Sequence, residues 1–151
     1  MEKSNDNKSR RVLFLCTGNY YRSRFAEILF NWQAEKRGLS WTAESRGLAL
    51  DACNNGPISR HTIACLQSRG IESDTCTRLP QPVTEADLAA ADRIIAVKED
   101  EHRPMFEAKF PQWVDRVEFW HVHDLDCATP DVAIPHLERE VEQLLNRLVA
   151  V

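Results

Sequence analysis

The stretch that most constrains this chain is residues 12–27, VLFLCTGNYYRSRFAE. Val12 to Leu15 form an unbroken apolar run, the pattern of a strand buried on both faces. The run stops at Cys16 and a short polar loop follows. From Phe25 onward, Ile28, Leu29 and Trp32 recur at helical spacing, and Gly38 suits the stop. A doubly buried strand that feeds a helix through one tight loop points to right-handed βαβ units and a parallel sheet. Ligands in such folds bind beyond the carboxyl ends of the strands, where this stretch places Cys16.

The rest of the chain repeats the alternation. RIIAV at 93–97 predicts a second buried strand, RVEFW at 116–120 another, and the weakly alternating WTAES predicts a strand over 41–46. Pro57 suits the first turn of a helix that carries Ile63 and Leu66 and ends at Gly70. Thr84 followed by Asp87 reads as an N-cap with an acidic first turn, opening a short helix. KEDEHRPMFEAKF predicts a charged helix interrupted near Pro104, with His102 and Arg103 on its solvated side. Leu137, Val141, Leu144, Leu145 and Leu148 line one face of a terminal helix. Trp41, Trp113 and Trp120 read as packing residues.

At 151 residues, with no Pro/Gly/Ser linker and no internal repeat, the chain fits one domain large enough for a real core. Residues 1–10 are expected to be a flexible polar tail and residues 11–151 the domain. The net charge of −4 gives no electrostatic reason to expect nucleic acid. The longest apolar run is far short of the ~20 residues of a membrane-spanning helix, and the polar N-terminus lacks the apolar stretch of a secretory signal. The five cysteines are an odd number without CxxC spacing, which argues against a disulfide framework and a zinc site. A reducing, cytoplasmic location is expected.

Cys16-x5-Arg22-Ser23 has the parts of a phosphate site with its own nucleophile. Backbone N–H groups in a tight strand-to-helix loop converge on one anion, and the helix N-terminus adds favourable partial charge. Gly18 permits a backbone conformation closed to other residues. Arg22 grips two phosphate oxygens through its planar fork. The same field favours a thiolate at Cys16, and Ser23 is placed to donate to the sulfur. Downstream, His121-x-His123 with Asp124 and Asp126 invites a metal reading, but an HxHxD site would need its Asp at position 125, which is Leu. These read as loop histidines, and no metal or other cofactor is expected.

FLCTGNYYRSRFAE resembles the N-terminal signature of the low-molecular-weight protein tyrosine phosphatases, whose loop reads Cys-x-Gly-Asn-x-Cys-Arg-Ser-Pro. ISRHTIACLQSRGI and ADRIIAVKEDEHRPM extend the likeness over nearly the whole chain. The resemblance implies an α/β three-layer sandwich: a central four-stranded parallel sheet flanked by helices, with the phosphate loop between the first strand and the first helix. It implies hydrolysis of aryl phosphates, on small molecules or as phosphotyrosine in proteins, with inorganic phosphate or a similar oxyanion held in the loop. Cys16 would form a phosphocysteine, Arg22 and the loop amides would bind the phosphoryl oxygens, Asn19 would shape the loop, and Ser23 would stabilise the thiolate. Thr17, Gly18, Tyr20 and Tyr21 would complete the binding loop.

The family's general acid usually begins an Asp-Pro pair, which this chain lacks at that point. Aligning VHDL at 122–125 selects Asp124. Asp126 stays open if the loop is rearranged, and Asp131 lies too near the last helix. Tyr21 stands in place of the family's second Cys, so the vicinal disulfide that shelters the nucleophile cannot form. Cys127 is a candidate distant resolving thiol. Arg24 replaces the usual Pro and adds positive charge near the loop. Tyr20 is bulky where related protein-arginine phosphatases carry Thr, and it offers a wall for an aryl ring. Two other readings stay open: a thioredoxin-coupled arsenate reductase using Cys65 and Cys76, and a degenerate module that binds phosphoproteins without hydrolysis.

Overall fold

The computed structural model describes residues 10–50, 56–72, 78–123 and 130–150. Four strands form one parallel sheet: β1 (Arg10–Cys16), β2 (Trp41–Gly47), β3 (Arg93–Ala96) and β4 (Val117–Phe119), in the order β2-β1-β3-β4. The helices are α1 (Arg22–Arg37), α2 (Arg60–Ser68), α3 (Glu85–Ala90), α4 (Glu99–Lys109) and α5 (Pro130–Ala150), with a 3-10 turn at Pro111–Arg116. This is the expected four-stranded parallel sheet with flanking helices.

β1 explains the layering. It is central, pairing with β2 from Arg10↔Trp41 to Cys16↔Gly47 and with β3 from Val12↔Arg93 to Leu15↔Ala96. Alternate side chains of a strand point to opposite faces. Val12, Phe14 and Cys16 join Phe25, Leu29 and Phe30 of α1 and Leu137, Val141 and Leu144 of α5. Leu13 and Leu15 join Leu88 of α3 and Phe106 of α4 on the other face. The apolar run is continuous because each face has its own helical layer. Phe14 meets Phe30 edge-on at 6.0 Å and Trp120 at 5.7 Å, separations that favour aromatic pairing.

Several local expectations meet the structure directly. α1 stops at Gly38, whose φ of 69° lets its N–H turn back to the carbonyls of Ala34 and Glu35. Thr84 and Asp87 form a reciprocal capping box at the start of α3. All five apolar residues predicted for the last helix are buried.

Others need correction. Arg10 is already paired in β1 rather than belonging to a tail. α2 begins at Arg60, not at Pro57, because the Ser59 side chain accepts from the His61 N–H at 3.1 Å and sets the cap there. Pro104 does not interrupt α4. The carbonyl it leaves without an amide partner belongs to Asp100, an exposed residue whose carbonyl can meet water. His102 is fully buried rather than solvated, and Arg103 lies 4.5 Å from the centre of the Phe119 ring. Arg24, expected as a charge beside the loop, is fully buried. Among the described residues, no helix is long and apolar enough to cross a membrane.

Candidate active site

The loop between β1 and α1 is shaped by what lies against it. Beyond the last β1–β2 pair, the N–H groups of Leu48 and Ala49 donate to the carbonyls of Cys16 and Thr17, both at 2.9 Å. That close passage depends on Gly47. A Cβ there would lie 2.8 Å from the Thr17 carbonyl oxygen and 3.2 Å from Asn19 Cβ. On the outer side, Ser59 N–H donates to the Tyr20 carbonyl at 2.9 Å, and Thr62 Oγ1 donates to the Tyr21 carbonyl at 3.2 Å. The Tyr21 side chain is buried in the core, so its place in the loop is a backbone one. Tyr20 is half-buried.

At the floor, Ser23 Oγ lies 3.0 Å from Cys16 Sγ. Ser23 Oγ also accepts from Asn19 Nδ2 at 3.0 Å. Asn19 Nδ2 donates a second bond to Ser45 Oγ at 2.9 Å, and its Oδ1 accepts from Gln81 N–H at 3.0 Å and Arg78 Nη1 at 3.3 Å. Asn19 is the loop residue with a left-handed backbone, at φ 51°. Gly18, from which that freedom was expected, is not among the positive-φ residues. Asn visits this region more readily than most residues, and here four side-chain hydrogen bonds hold it in place.

Below Asn19 sits a buried charge cluster that the sequence did not reveal. Ser45 Oγ donates to Glu27 Oε1 at 2.5 Å, and Arg78 Nη2 donates to the same oxygen at 3.1 Å. Arg24 Nε lies 3.5 Å from that oxygen, while its Nη1 donates to the carbonyls of Pro57 and Arg78 at 3.0 and 2.9 Å. The Arg24 charge is therefore spent on structure, below the loop rather than in its mouth.

Arg22, only 2% exposed, begins α1. Its Nη1 donates to the Val122 carbonyl at 3.0 Å and its Nη2 to Glu101 Oε2 at 3.0 Å. The same Glu101 oxygen accepts from the Thr17 hydroxyl and has His102 Nε2 at 3.4 Å. His102 Nδ1 accepts from Lys98 N–H at 3.1 Å, which leaves Nε2 as the protonated nitrogen facing Thr17 and Glu101. Burial pushes the Glu101 carboxyl up, but hydrogen bonds from His102, Arg22 and Thr17 outweigh it and hold the group well below the usual carboxylate range.

Cys16, Thr17, Asn19, Arg22 and Ser23 thus come together at the carboxyl end of β1. No described group accepts from the N–H of Gly18 or Asn19. With these amides and the N-terminus of a 16-residue helix, the loop is built to receive an anion beside a sulfur. Asp124, Asp126 and Cys127 lie outside the described residues, as do Cys53, Cys76 and the Asp131 side chain. Cys65 is half-buried on α2. His121 is exposed, with Nε2 3.9 Å from Glu99.

Sequence reasoning missed Glu27, Ser45, Gly47, Arg78 and Glu101. Ser45 carried a usable signal: it is the polar member of the buried series Ala43, Ser45, Gly47 on one face of β2. Glu101 lies in a run of charges that reads as a solvated helix face.

Comparison with known proteins agrees with this geometry. The family profile described as low molecular weight phosphotyrosine protein phosphatase matches residues 11–149. The chain is 31% identical over 106 residues to the protein-arginine-phosphatase of Bacillus subtilis (strain 168), covering 70% of this chain and 67% of that protein. Among solved structures it is similar to the low molecular weight protein tyrosine phosphatase from T. tengcongensis, with a TM-score of 0.74 and 28% identity, covering 94% of this chain and 99% of that one. It is also similar to a mutant of the YwlE arginine phosphatase with a phosphorylated active-site serine, with a TM-score of 0.72 and 26% identity, covering 93% of each chain. The loop, the sheet that carries it and a match over nearly its full length agree: this chain belongs to the low molecular weight phosphotyrosine protein phosphatase family.

Proposed function

We propose that the protein hydrolyses aryl phosphate monoesters, phosphotyrosine in proteins among them, through a phosphocysteine on Cys16. The observation that carries this reading is the 3.0 Å approach of Ser23 Oγ to Cys16 Sγ, at the floor of a loop closed by Arg22 and Asn19. In the first step the Cys16 thiolate attacks phosphorus in line, the S–P bond forms and the ester P–O bond breaks. Asp124 donates its proton to the departing phenolate. In the second step Asp124, now ionised, takes a proton from water. The water oxygen bonds to phosphorus, and the Cys16 thiolate leaves with Ser23 donating to the sulfur. Arg22 and the loop amides stabilise the charge on the equatorial oxygens throughout.

A relative with a phosphorylated active-site serine supports a covalent intermediate on the corresponding loop residue. A second reading, hydrolysis of phosphoarginine, is favoured by the 31% identity to a protein-arginine-phosphatase. The proposed site is the cytoplasm, and the partners are phosphorylated proteins or small aryl phosphates. The test is turnover of phosphotyrosine and phosphoarginine peptides side by side, with wild type and Cys16→Ser. Phosphotyrosine hydrolysis that vanishes in the variant supports the main reading. Turnover of phosphoarginine alone selects the second, and turnover of neither, with inorganic phosphate still bound, selects a binding module.

A further inference from the structure

We infer that Glu101 is a positioning residue for Arg22: it fixes the plane of the guanidinium that receives the phosphoryl group. This rests on the phosphatase reading above. Arg22 has a long side chain with many rotamers, yet it must present paired N–H groups to a phosphoryl oxygen within a narrow angle. Two acceptors on different nitrogens define its orientation, Val122 O on Nη1 and Glu101 Oε2 on Nη2, both at 3.0 Å. A guanidinium is planar with its N–H donors in a fixed fork, so contacts on two of its nitrogens set the direction of the whole group.

Glu101 is itself held. Its Oε2 accepts from the Thr17 hydroxyl, a residue of the same loop, and has the protonated Nε2 of His102 at 3.4 Å. His102 is fully buried and oriented by Lys98 N–H at the start of α4. The order of support therefore runs from the α4 N-terminus through His102 to Thr17 and Glu101, and from Glu101 to Arg22. This joins the loop after β1 to the helix after β3, the two elements that flank the anion site.

A carboxylate beside Arg22 has a second possible consequence, of opposite sign. It would compete with the phosphate dianion for the guanidinium, as an inhibitory stand-in for substrate. The side-chain placement favours positioning, because the Arg22 guanidinium is held by a backbone carbonyl as well, and Glu101 Oε2 is itself shared with the Thr17 hydroxyl of the loop and with His102 Nε2 of α4.

The test compares Glu101→Ala with Glu101→Gln. Both remove the charge, but only Gln keeps an acceptor of the same reach, so their difference isolates positioning from electrostatics. Hydrolysis of p-nitrophenyl phosphate and calorimetric binding of orthovanadate are measured on both, with Glu101→Met as the acceptor-free variant if the alanine protein does not fold. Positioning predicts that kcat falls roughly 100-fold in Glu101→Ala with a much smaller change in KM, and that Glu101→Gln recovers at least about 10-fold of it. It also predicts that orthovanadate binds about 10-fold more weakly to the alanine protein than to the glutamine protein. Equal behaviour of the two variants, or a rise in kcat/KM in both, overturns the inference. An inactive wild type removes the phosphatase reading alone, because the orthovanadate comparison still decides the role of Glu101.

Discussion

Ser23 Oγ stands 3.0 Å from Cys16 Sγ and simultaneously accepts from Asn19 Nδ2 at 3.0 Å. In the thiol form Cys16 Sγ donates to Ser23 Oγ; once the sulfur ionises it can only accept, and the Ser23 hydroxyl, held in place by Asn19, is the donor within reach of the thiolate. Ser23→Ala removes that donor. Steady-state kcat is expected to fall about 10- to 100-fold, with the second step affected more than the first. A pre-steady-state burst of p-nitrophenol that is larger than in wild type checks this; loss of the burst would place the effect on phosphoryl transfer instead.

Asp124 is the proposed acid, chosen by its place after Val122 and His123. Asp124→Ala should slow substrates with poor leaving groups by roughly 100- to 10,000-fold, and activated aryl phosphates far less, since only poor leaving groups need the proton. Asp126→Ala should leave both classes near wild type. The reverse pattern across a leaving-group series would move the role to Asp126.

Gly47 lets β2 end against the loop. A Cβ at this position meets the Thr17 carbonyl at 2.8 Å, a backbone atom that cannot rotate aside. Gly47→Ala should cost about 1–3 kcal/mol of stability through overpacking. It should also lower phosphate affinity, because the strain falls on Thr17 and Asn19. Denaturant unfolding together with phosphate titration measures the two effects; a fully stable variant with normal phosphate binding would contradict the prediction.

Glu27 balances two arginines. Its Oε1 lies 3.1 Å from Arg78 Nη2 and 3.5 Å from Arg24 Nε, and Arg24 is fully buried. Removing one partner of a buried ion pair costs about 3–5 kcal/mol, since a charge is left uncompensated. Glu27→Ala is expected at the upper part of that range. Denaturant unfolding of Glu27→Ala, Arg78→Ala and the double variant checks this: the double variant should lose less than the sum of the two single losses, and simple additivity would contradict the pairing.

Glu101 sets a pH dependence of stability. Its folded-state pKa lies below the ordinary 4.5, so the folded form binds its proton less readily than the unfolded form. The stabilisation is complete above the unfolded value and is lost as the pH falls from there toward the folded one. The melting temperature of wild type should therefore exceed that of Glu101→Gln at pH 7, and the gap should shrink as the pH drops below about 4.5. A gap that is constant between pH 7 and pH 3 would show that Glu101 has no depressed pKa.

The legible part of the site was local. Cys16, Asn19, Arg22 and Ser23 fall within eight residues, so their placement follows from one strand end, one turn and one helix start. The residues that support them come from far along the chain. Ser45 reaches Asn19 across 26 positions, Arg78 across 59, and Glu101 reaches Arg22 across 79. Ser45 is marked only as the polar member of one face of β2, nothing in local periodicity marks Arg78 or Glu101, and polar residues in charged segments look solvated until the element that carries them is packed. His102 shows the same limit, reading as exposed on a charged helix and yet fully buried.

By itself the sequence determined the sheet, the helices and the anion loop, because hydrophobic periodicity and a short loop act over a few residues. Only the tertiary structure decided that Arg24 would sit beneath the loop, that Asn19 rather than Gly18 would take the left-handed turn, and that Glu101 would meet Arg22. Those outcomes depend on side chains from separate elements sharing one buried space. There, low dielectric and unsatisfied donors force specific pairings that no single segment encodes.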